Sequence, residues 1–70
     1  MEKYDYVEVI DYDETVGLNL DEFIGAEGMI INIDNRGDFP IEVCFFNKEL
    51  QDKVLYHGCI HWKENELEVI

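Results

Sequence analysis

Apolar and polar side chains alternate with a period of two along most of this chain, a pattern typical of half-buried β-strands. In the first segment, Tyr4–Ile10, Val7 and Val9 fall on one face, while Tyr6 and Glu8 fall on the other. The same alternation predicts four further strands. The second predicted strand is Met29–Ile33. The third is opened by Pro40 and has Ile41, Val43 and Phe45 on one face and Glu42, Cys44 and Phe46 on the other. The fourth is Val54–Trp62, and the fifth is Leu67–Ile70.

The connections between the predicted strands differ in length and chemistry. Residues 11–24 form a long first loop, in which Asp21–Phe23 can make one turn of helix. Gly25 and Gly28 bracket the start of the second strand, where glycine supplies either a turn with positive φ or a close backbone approach. The other connections are predicted to be a tight turn at Asp34–Asp38, a polar loop at Asn47–Lys53, a bulge or bend at Gly58 and a tight turn at Lys63–Glu66.

Chain length and strand number together restrict the fold. Five short strands in 70 residues, with no convincing helix, bury one face each by closing around a common core. We therefore expect an all-β barrel that forms a single domain over residues 1–70. The apolar fraction of 47% is too high for a disordered acidic tail. No apolar run approaches the roughly 20 residues of a membrane span, and the acidic N-terminus lacks the positive region of a secretory signal, so we expect a cytoplasmic protein.

Two segments resemble parts of SH3-like domains. Gly25–Ile30 (Gly-Ala-Glu-Gly-Met-Ile) resembles the glycine-flanked second strand of SH3-like and KOW-type domains, and Cys59–Ile70 resembles their closing strand, 3₁₀ turn and final strand. The layout from Val7 to Ile70 is most similar to the variable chain of ferredoxin–thioredoxin reductase and to small SH3-like proteins of bacteria and phages. This resemblance implies a five-stranded SH3-like barrel with a short 3₁₀ turn before the last strand. It also implies either an accessory chain of a larger complex or an inhibitor that imitates the charge of nucleic acid.

The charge balance restricts the partners of such a domain. Five basic side chains stand against seventeen acidic ones, which gives a formal net charge of -12. Nucleic-acid affinity comes largely from lysine and arginine neutralising phosphates, so we expect no direct nucleic-acid binding and instead a protein partner with a basic surface. A chain of this length buries only about 60% of its unfolded surface. That leaves too little core for a deep catalytic cleft, so we expect no enzyme activity and no cofactor.

The candidate partner-binding residues combine tyrosines with carboxylates. Tyrosines supply contact area and are favoured in interface cores, whereas carboxylates supply long-range attraction and raise association rates. The alternative role for the carboxylates is a solvated surface that keeps a marginally stable barrel soluble. Trp62, in line with Tyr56 and Ile60, is assigned to the core. The candidate residues are Tyr4, Tyr6, Tyr12, Asp13, Glu14, Asp21 and Glu22.

A metal-binding or thiol redox module is the alternative function. His57, Cys59 and His61 alternate along the predicted fourth strand, and imidazole and thiolate are common zinc ligands. Residues on one face of a strand lie about 6.6–6.8 Å apart, which separates the two histidines by roughly 13 Å, too far for one tetrahedral ion. A smaller ligand set that includes Cys44 stays open, as does a disulfide between Cys44 and Cys59. Two free buried thiols and no bound metal are the simpler expectation.

Overall fold

The computed structural model of the chain describes residues 1–13, 17, 19–56 and 60–70. Within these residues, five strands form one antiparallel sheet in the order β4-β3-β2-β1-β5, which curves as a half-barrel. This confirms the expectation of a small fold built on five short strands. The strands are β1 (Tyr6–Val9), β2 (Glu27–Ile33), β3 (Ile41–Phe45), β4 (His61–Trp62) and β5 (Leu67–Val69).

The alternating pattern sorts side chains to the two sides of the sheet as predicted. In β1, Val7 and Val9 are buried, whereas Tyr6 is 56% exposed. We call the buried side of the sheet the inner face and the opposite side the outer face. The inner face contributes most of the hydrophobic core, which consists of Val7, Val9, Leu20, Phe23, Ile30, Ile41, Val43, Phe45, Val54, Ile60, Trp62 and Leu67.

Three aromatic rings form the centre of this core. Trp62 is 1% exposed, as predicted, and its ring centroid lies 5.7 Å from that of Phe23 and 5.9 Å from that of Phe45. The rings of Phe23 and Phe45 are 5.3 Å apart. Phe23 comes from a single 3₁₀ turn, Asp21–Phe23, which confirms the predicted turn of helix in the first loop. The long first loop is therefore fixed to the sheet by an aromatic anchor.

The two glycines before and within β2 play the two roles that the sequence allows. Gly25 has φ of +84° and ends the first loop, a conformation that L side chains rarely adopt. Gly28 lies so close to β3 that an added Cβ atom would be 2.5 Å from the carbonyl oxygen of Cys44 and 2.7 Å from Cγ1 of Val43. Glycine at this position therefore allows β2 and β3 to approach closely.

The connection between β2 and β3 is the tight turn predicted at Asp34–Asp38. Oδ1 of Asp34 accepts hydrogen bonds from the backbone N–H of Arg36 at 3.1 Å and from its Nε at 2.9 Å. The side-chain hydrogen bond from Arg36 is the main cause that lowers the pKa of Asp34. The ladder between the two strands shifts register between Ile30 and Asn32, which is a β-bulge.

A nine-residue helix, α1 (Lys48–Tyr56), stands where the sequence predicts the polar loop Asn47–Lys53, so that prediction is wrong. Oδ1 of Asn47 accepts hydrogen bonds from the two N–H groups at positions 49 and 50, at 2.9 and 3.4 Å, as an N-cap residue does. Leu50 and Val54, one helical turn apart, pack on the core. None of the helices in the described parts of the chain is long and apolar enough to cross a membrane.

Among the residues that the structure describes, the predicted fourth strand, Val54–Trp62, is wrong in its first part and right only at its end. Its first three residues belong to α1, and β4 contains only its last two. Tyr56, which the period-two pattern aligns with Trp62, is 85% exposed on the helix. The predicted bulge at Gly58 lies outside the described residues.

A second 3₁₀ turn, Glu64–Glu66, leads from β4 into β5, in agreement with the predicted tight turn. The buried Glu66 accepts a hydrogen bond at Oε1 from the N–H of Lys63 at 2.7 Å. β4 and β5 are the two ends of the strand order. The described strands therefore enclose the core as a half-barrel, a less closed arrangement than the barrel expected from the sequence.

Candidate functional site

Three glutamates lie side by side on the outer face of the sheet. Glu8 of β1 is in register with Glu27 of β2 on one side and with Glu68 of β5 on the other. Directly opposite residues of an antiparallel pair have Cβ atoms about 4.5–5.5 Å apart, and like charges in such positions repel. Within the described part of the chain, none of the three forms an ion pair. We call Glu68, Glu8 and Glu27 the carboxylate row.

The outer face beside the carboxylate row is apolar. Tyr6 is in register with Met29, which is in register with Cys44, and the N–H of Ile70 donates to the carbonyl oxygen of Tyr6 at 3.0 Å. Phe46, just beyond β3, packs against Tyr6 with ring centroids 5.6 Å apart and ring planes at 81°. Tyr6, Phe46 and Ile70 are 56%, 61% and 58% exposed. We call these five residues the outer patch.

Tyr4 precedes β1 and is also exposed, at 64%. Its φ of 76° lies in the left-handed region, and its N–H donates to the carbonyl oxygen of Ile30 at 2.7 Å. The ammonium group of Lys3 lies 5.3 Å from the centroid of the Tyr4 ring, which is a cation–π contact. Tyr4 and Tyr6 are thus the two predicted site residues that offer aromatic surface to solvent.

The predicted residues of the first loop have contacts within the molecule. Tyr12 is half-buried against the core, and its hydroxyl donates to Oδ1 of Asp21 at 2.7 Å. Nζ of Lys63 donates to Oδ2 of Asp13 at 2.8 Å and lies 4.8 Å from the centroid of the Phe39 ring. The hydrogen bond to Asp13 is the main cause that raises the pKa of Lys63. These contacts hold the loop against the turn that precedes β5.

The predicted site residues therefore divide into two groups. Glu22 forms an ion pair with Lys53 of α1, and Glu14 lies outside the described residues. The described carboxylates of the first loop thus have intramolecular partners, whereas Tyr4 and Tyr6 project their rings into solvent. The predicted site residues that the structure describes do not form one continuous contact set.

The residues of the metal or redox alternative are only partly described. His57 and Cys59 lie outside the described residues, so a metal site that uses the histidine pair is not tested. Cys44 is a free, half-buried thiol, and Nε2 of His61 lies 3.7 Å from Oε1 of Glu42. Among the described residues, no group of three His, Cys, Asp or Glu side chains could hold a metal ion. This alternative stays a prediction.

Sequence reasoning does not find the carboxylate row or the contact between Tyr6 and Phe46. The period-two pattern does place Glu8 and Phe46 opposite the buried residues of their own segments. What brings residues 8, 27 and 68 together is the pairing register of three strands that are far apart in the chain. The local signal of the row is limited to Glu8 and Glu68, which lie in predicted strands, because Glu27 precedes the predicted second strand, Met29–Ile33.

The chain matches no protein family, no curated protein and no solved structure. The functional argument therefore depends on what the outer face offers chemically. It offers three neighbouring negative charges and an adjacent apolar surface with two exposed rings in contact. Such a surface supplies attraction and contact area.

Proposed function

We propose that this chain is a non-catalytic module that binds a protein partner through that partner's basic surface. The carboxylate row is the observation that carries the proposal. Each directly opposed pair of like charges costs roughly 0.2–1 kcal/mol, and basic side chains of a partner would offset this repulsion. The formal net charge of -12 adds attraction at longer range and favours fast association.

An SH3-like barrel is part of this proposal. Three features support it: β1 lies between β2 and β5, a long loop connects β1 to β2, and the turn Glu64–Glu66 precedes β5. They agree with the resemblance of Gly25–Ile30 and Cys59–Ile70 to such domains. A rigid sheet of this kind holds its outward side chains in fixed positions, which suits a binding surface.

The role that fits best is that of an accessory chain of a larger complex. An inhibitor that imitates the charge of nucleic acid would depend on electrostatic attraction, which salt screens strongly. The outer patch adds apolar contact, whose contribution does not weaken as ionic strength rises. Binding that survives moderate salt would therefore favour the accessory chain, and a steep loss of affinity with salt would favour the inhibitor.

The proposal is tested by removing the charges of the carboxylate row and measuring the binding of a short lysine-rich peptide. A matched control removes three exposed carboxylates elsewhere, so that both variants lose the same amount of negative charge. The row variant carries Glu8→Gln, Glu27→Gln and Glu68→Gln. The control variant carries Glu49→Gln, Asp52→Asn and Glu64→Gln.

We expect the row variant to bind the peptide about tenfold more weakly than the unmodified protein, because three exposed ion pairs at roughly 0.5 kcal/mol each amount to about one tenfold step. The control variant is expected to lose about twofold, through the smaller net charge alone. Equal losses in the two variants would contradict the assignment of binding to the row. An unmodified protein that does not bind the peptide at low salt would contradict the proposed function itself.

A further inference from the structure

We infer that the outer patch and the carboxylate row together dock one amphipathic helix of the protein partner. The apolar stripe of that helix would lie over the outer patch, and lysine or arginine side chains along one flank would lie over the row. This inference rests on the proposed function, since it names the structure and chemistry of the partner segment.

The outer patch has the properties of a preformed anchor. The rings of Tyr6 and Phe46 contact each other edge to face, at 5.6 Å between centroids, while more than half of each side chain remains exposed. Aromatic pairs in this geometry contribute about 0.5–1.5 kcal/mol beyond the area that they bury. The rings are therefore already ordered against each other, and a partner that covers them loses less side-chain entropy.

The spacing of the outer patch matches a helix better than an extended peptide. Ile70 directly follows β5, and Tyr6, Met29 and Cys44 lie on the neighbouring strands β1, β2 and β3. Neighbouring strands are about 4.7–4.9 Å apart. Helix residues three or four positions apart are separated by about 5–6 Å, whereas same-face residues of an extended chain are about 6.6–6.8 Å apart. If a helix crosses the strands, its side chains therefore stay close to successive residues of the outer patch along a line of roughly 14 Å. That length corresponds to about ten helical residues.

The carboxylate row runs parallel to that line. Each of its glutamates lies two residues along its strand from a patch residue, as Glu8 does from Tyr6 and Glu27 does from Met29. The two lines are thus about 6.6–6.8 Å apart. Lysine and arginine have long apolar stems with a charged end, so they can extend from the edge of an apolar stripe to reach carboxylates at that distance.

Charge argues against a second copy of this chain as the occupant. Two outer faces brought together would bring two carboxylate rows into one interface, between two molecules that each carry a formal net charge of -12. The one α-helix among the described residues, α1, carries Glu49 and Asp52 as well as Lys48 and Lys53, and Lys53 is already paired with Glu22. It therefore offers no basic flank to a neighbouring molecule.

The test uses two synthetic peptides of about fourteen residues with identical leucine, lysine and alanine content. In the patterned peptide, leucines recur every three or four residues with lysines beside them; in the scrambled peptide, the same residues have no stripe. Affinities are measured near 0.15 M salt. We expect the patterned peptide to bind at least about tenfold more tightly, and its titration to shift the amide resonances of the outer patch and the row.

Three substitutions of exposed residues, one of them a control, locate the contact. Phe46→Ser is expected to weaken the patterned peptide about tenfold and to leave the scrambled peptide unchanged. Leu55→Ser is the control, because Leu55 is exposed to a similar extent, 60%, but lies on α1. Tyr6→Ser provides a second variant of the anchor, and thermal melts of all three verify that each is folded.

The outcomes separate this inference from the proposed function. Equal affinity for the two peptides, or no effect of Phe46→Ser, would overturn the helix-docking inference. In that case, salt-sensitive binding of both peptides would still support the proposed basic partner. No binding of either peptide, even at low salt, would overturn both. Concentration-dependent dimers in sedimentation that Phe46→Ser abolishes would also overturn the inference, since a second copy would then occupy the face.

Discussion

Phe45 and Phe46 are adjacent in the sequence, yet they lie on opposite faces of the sheet in opposite environments. Phe45 is 4% exposed and packs against Phe23 and Trp62 in the aromatic core. Phe46 is 61% exposed and contacts the ring of Tyr6, which is itself exposed. Because the ring of Phe45 is surrounded by the core and more than half of Phe46 is exposed, we expect the inner face to determine stability and the outer face to be available for binding.

The acidic side chains also differ between two regions, the first loop and the carboxylate row. In the first loop, two carboxylates have cationic partners, since Asp13 pairs with Lys63 and Glu22 pairs with Lys53. In the carboxylate row, three glutamates face one another without an ion pair from the described residues. The loop charges therefore support the fold, whereas the row opposes it slightly.

The largest expected effect comes from truncating the two neighbouring phenylalanines. Removing a buried phenylalanine side chain costs about 3–5 kcal/mol, which approaches the whole stability of a domain this small. Phe45→Ala is therefore expected to unfold the protein, and Phe45→Leu to lower the denaturation midpoint measurably. Phe46→Ala is expected to lower the free energy of unfolding by less than about 1.5 kcal/mol, the contribution of one aromatic pair. Comparable losses at the two positions, measured by urea denaturation, would contradict the division between the faces.

A smaller effect is expected at Gly28, where β2 and β3 approach closely. In Gly28→Ala the new Cβ would meet the carbonyl oxygen of Cys44 at 2.5 Å, so the two strands must separate. Overpacking of this kind costs typically about 1–3 kcal/mol. Gly37→Ala is the matched control, because nothing lies within 4 Å of its added Cβ and its φ is not in the left-handed region. Equal melting temperatures for the two variants would show that the strands have room to separate.

The features that sequence predicts well here are local. Alternation over four or five residues is enough to place Val7 and Val9 on the inner face and Tyr6 on the outer face. The sequence predicts a positive φ or a close backbone approach at Gly25 and Gly28, and the structure shows the first at Gly25 and the second at Gly28. Each of these signals needs no knowledge of which strands pair.

Two kinds of feature are not predicted from the sequence: segments whose pattern fits both a strand and a helix, and pairings between residues that are far apart in the chain. Val54 is two residues from Tyr56 and four from Leu50, so the same valine fits both a strand and a helix. The N-cap at Asn47 and the packing of Leu50 and Val54 on the core decide for the helix. The carboxylate row requires pairing between residues 8, 27 and 68, a non-local property that no window of sequence contains.

The smallest expected effect is a gain in stability at the centre of the carboxylate row. Glu8 faces a glutamate on each side, so Glu8→Gln relieves two repulsions and is expected to raise the free energy of unfolding by about 0.2–1 kcal/mol at low salt. The gain should shrink as salt is added, because screening already weakens the repulsion. Glu2→Gln removes one negative charge outside the row. An equal gain in the free energy of unfolding from Glu2→Gln would mean that the smaller net charge causes the effect. If Glu8→Gln also weakens the binding of basic peptides, the row is a surface at which stability is reduced for the sake of binding.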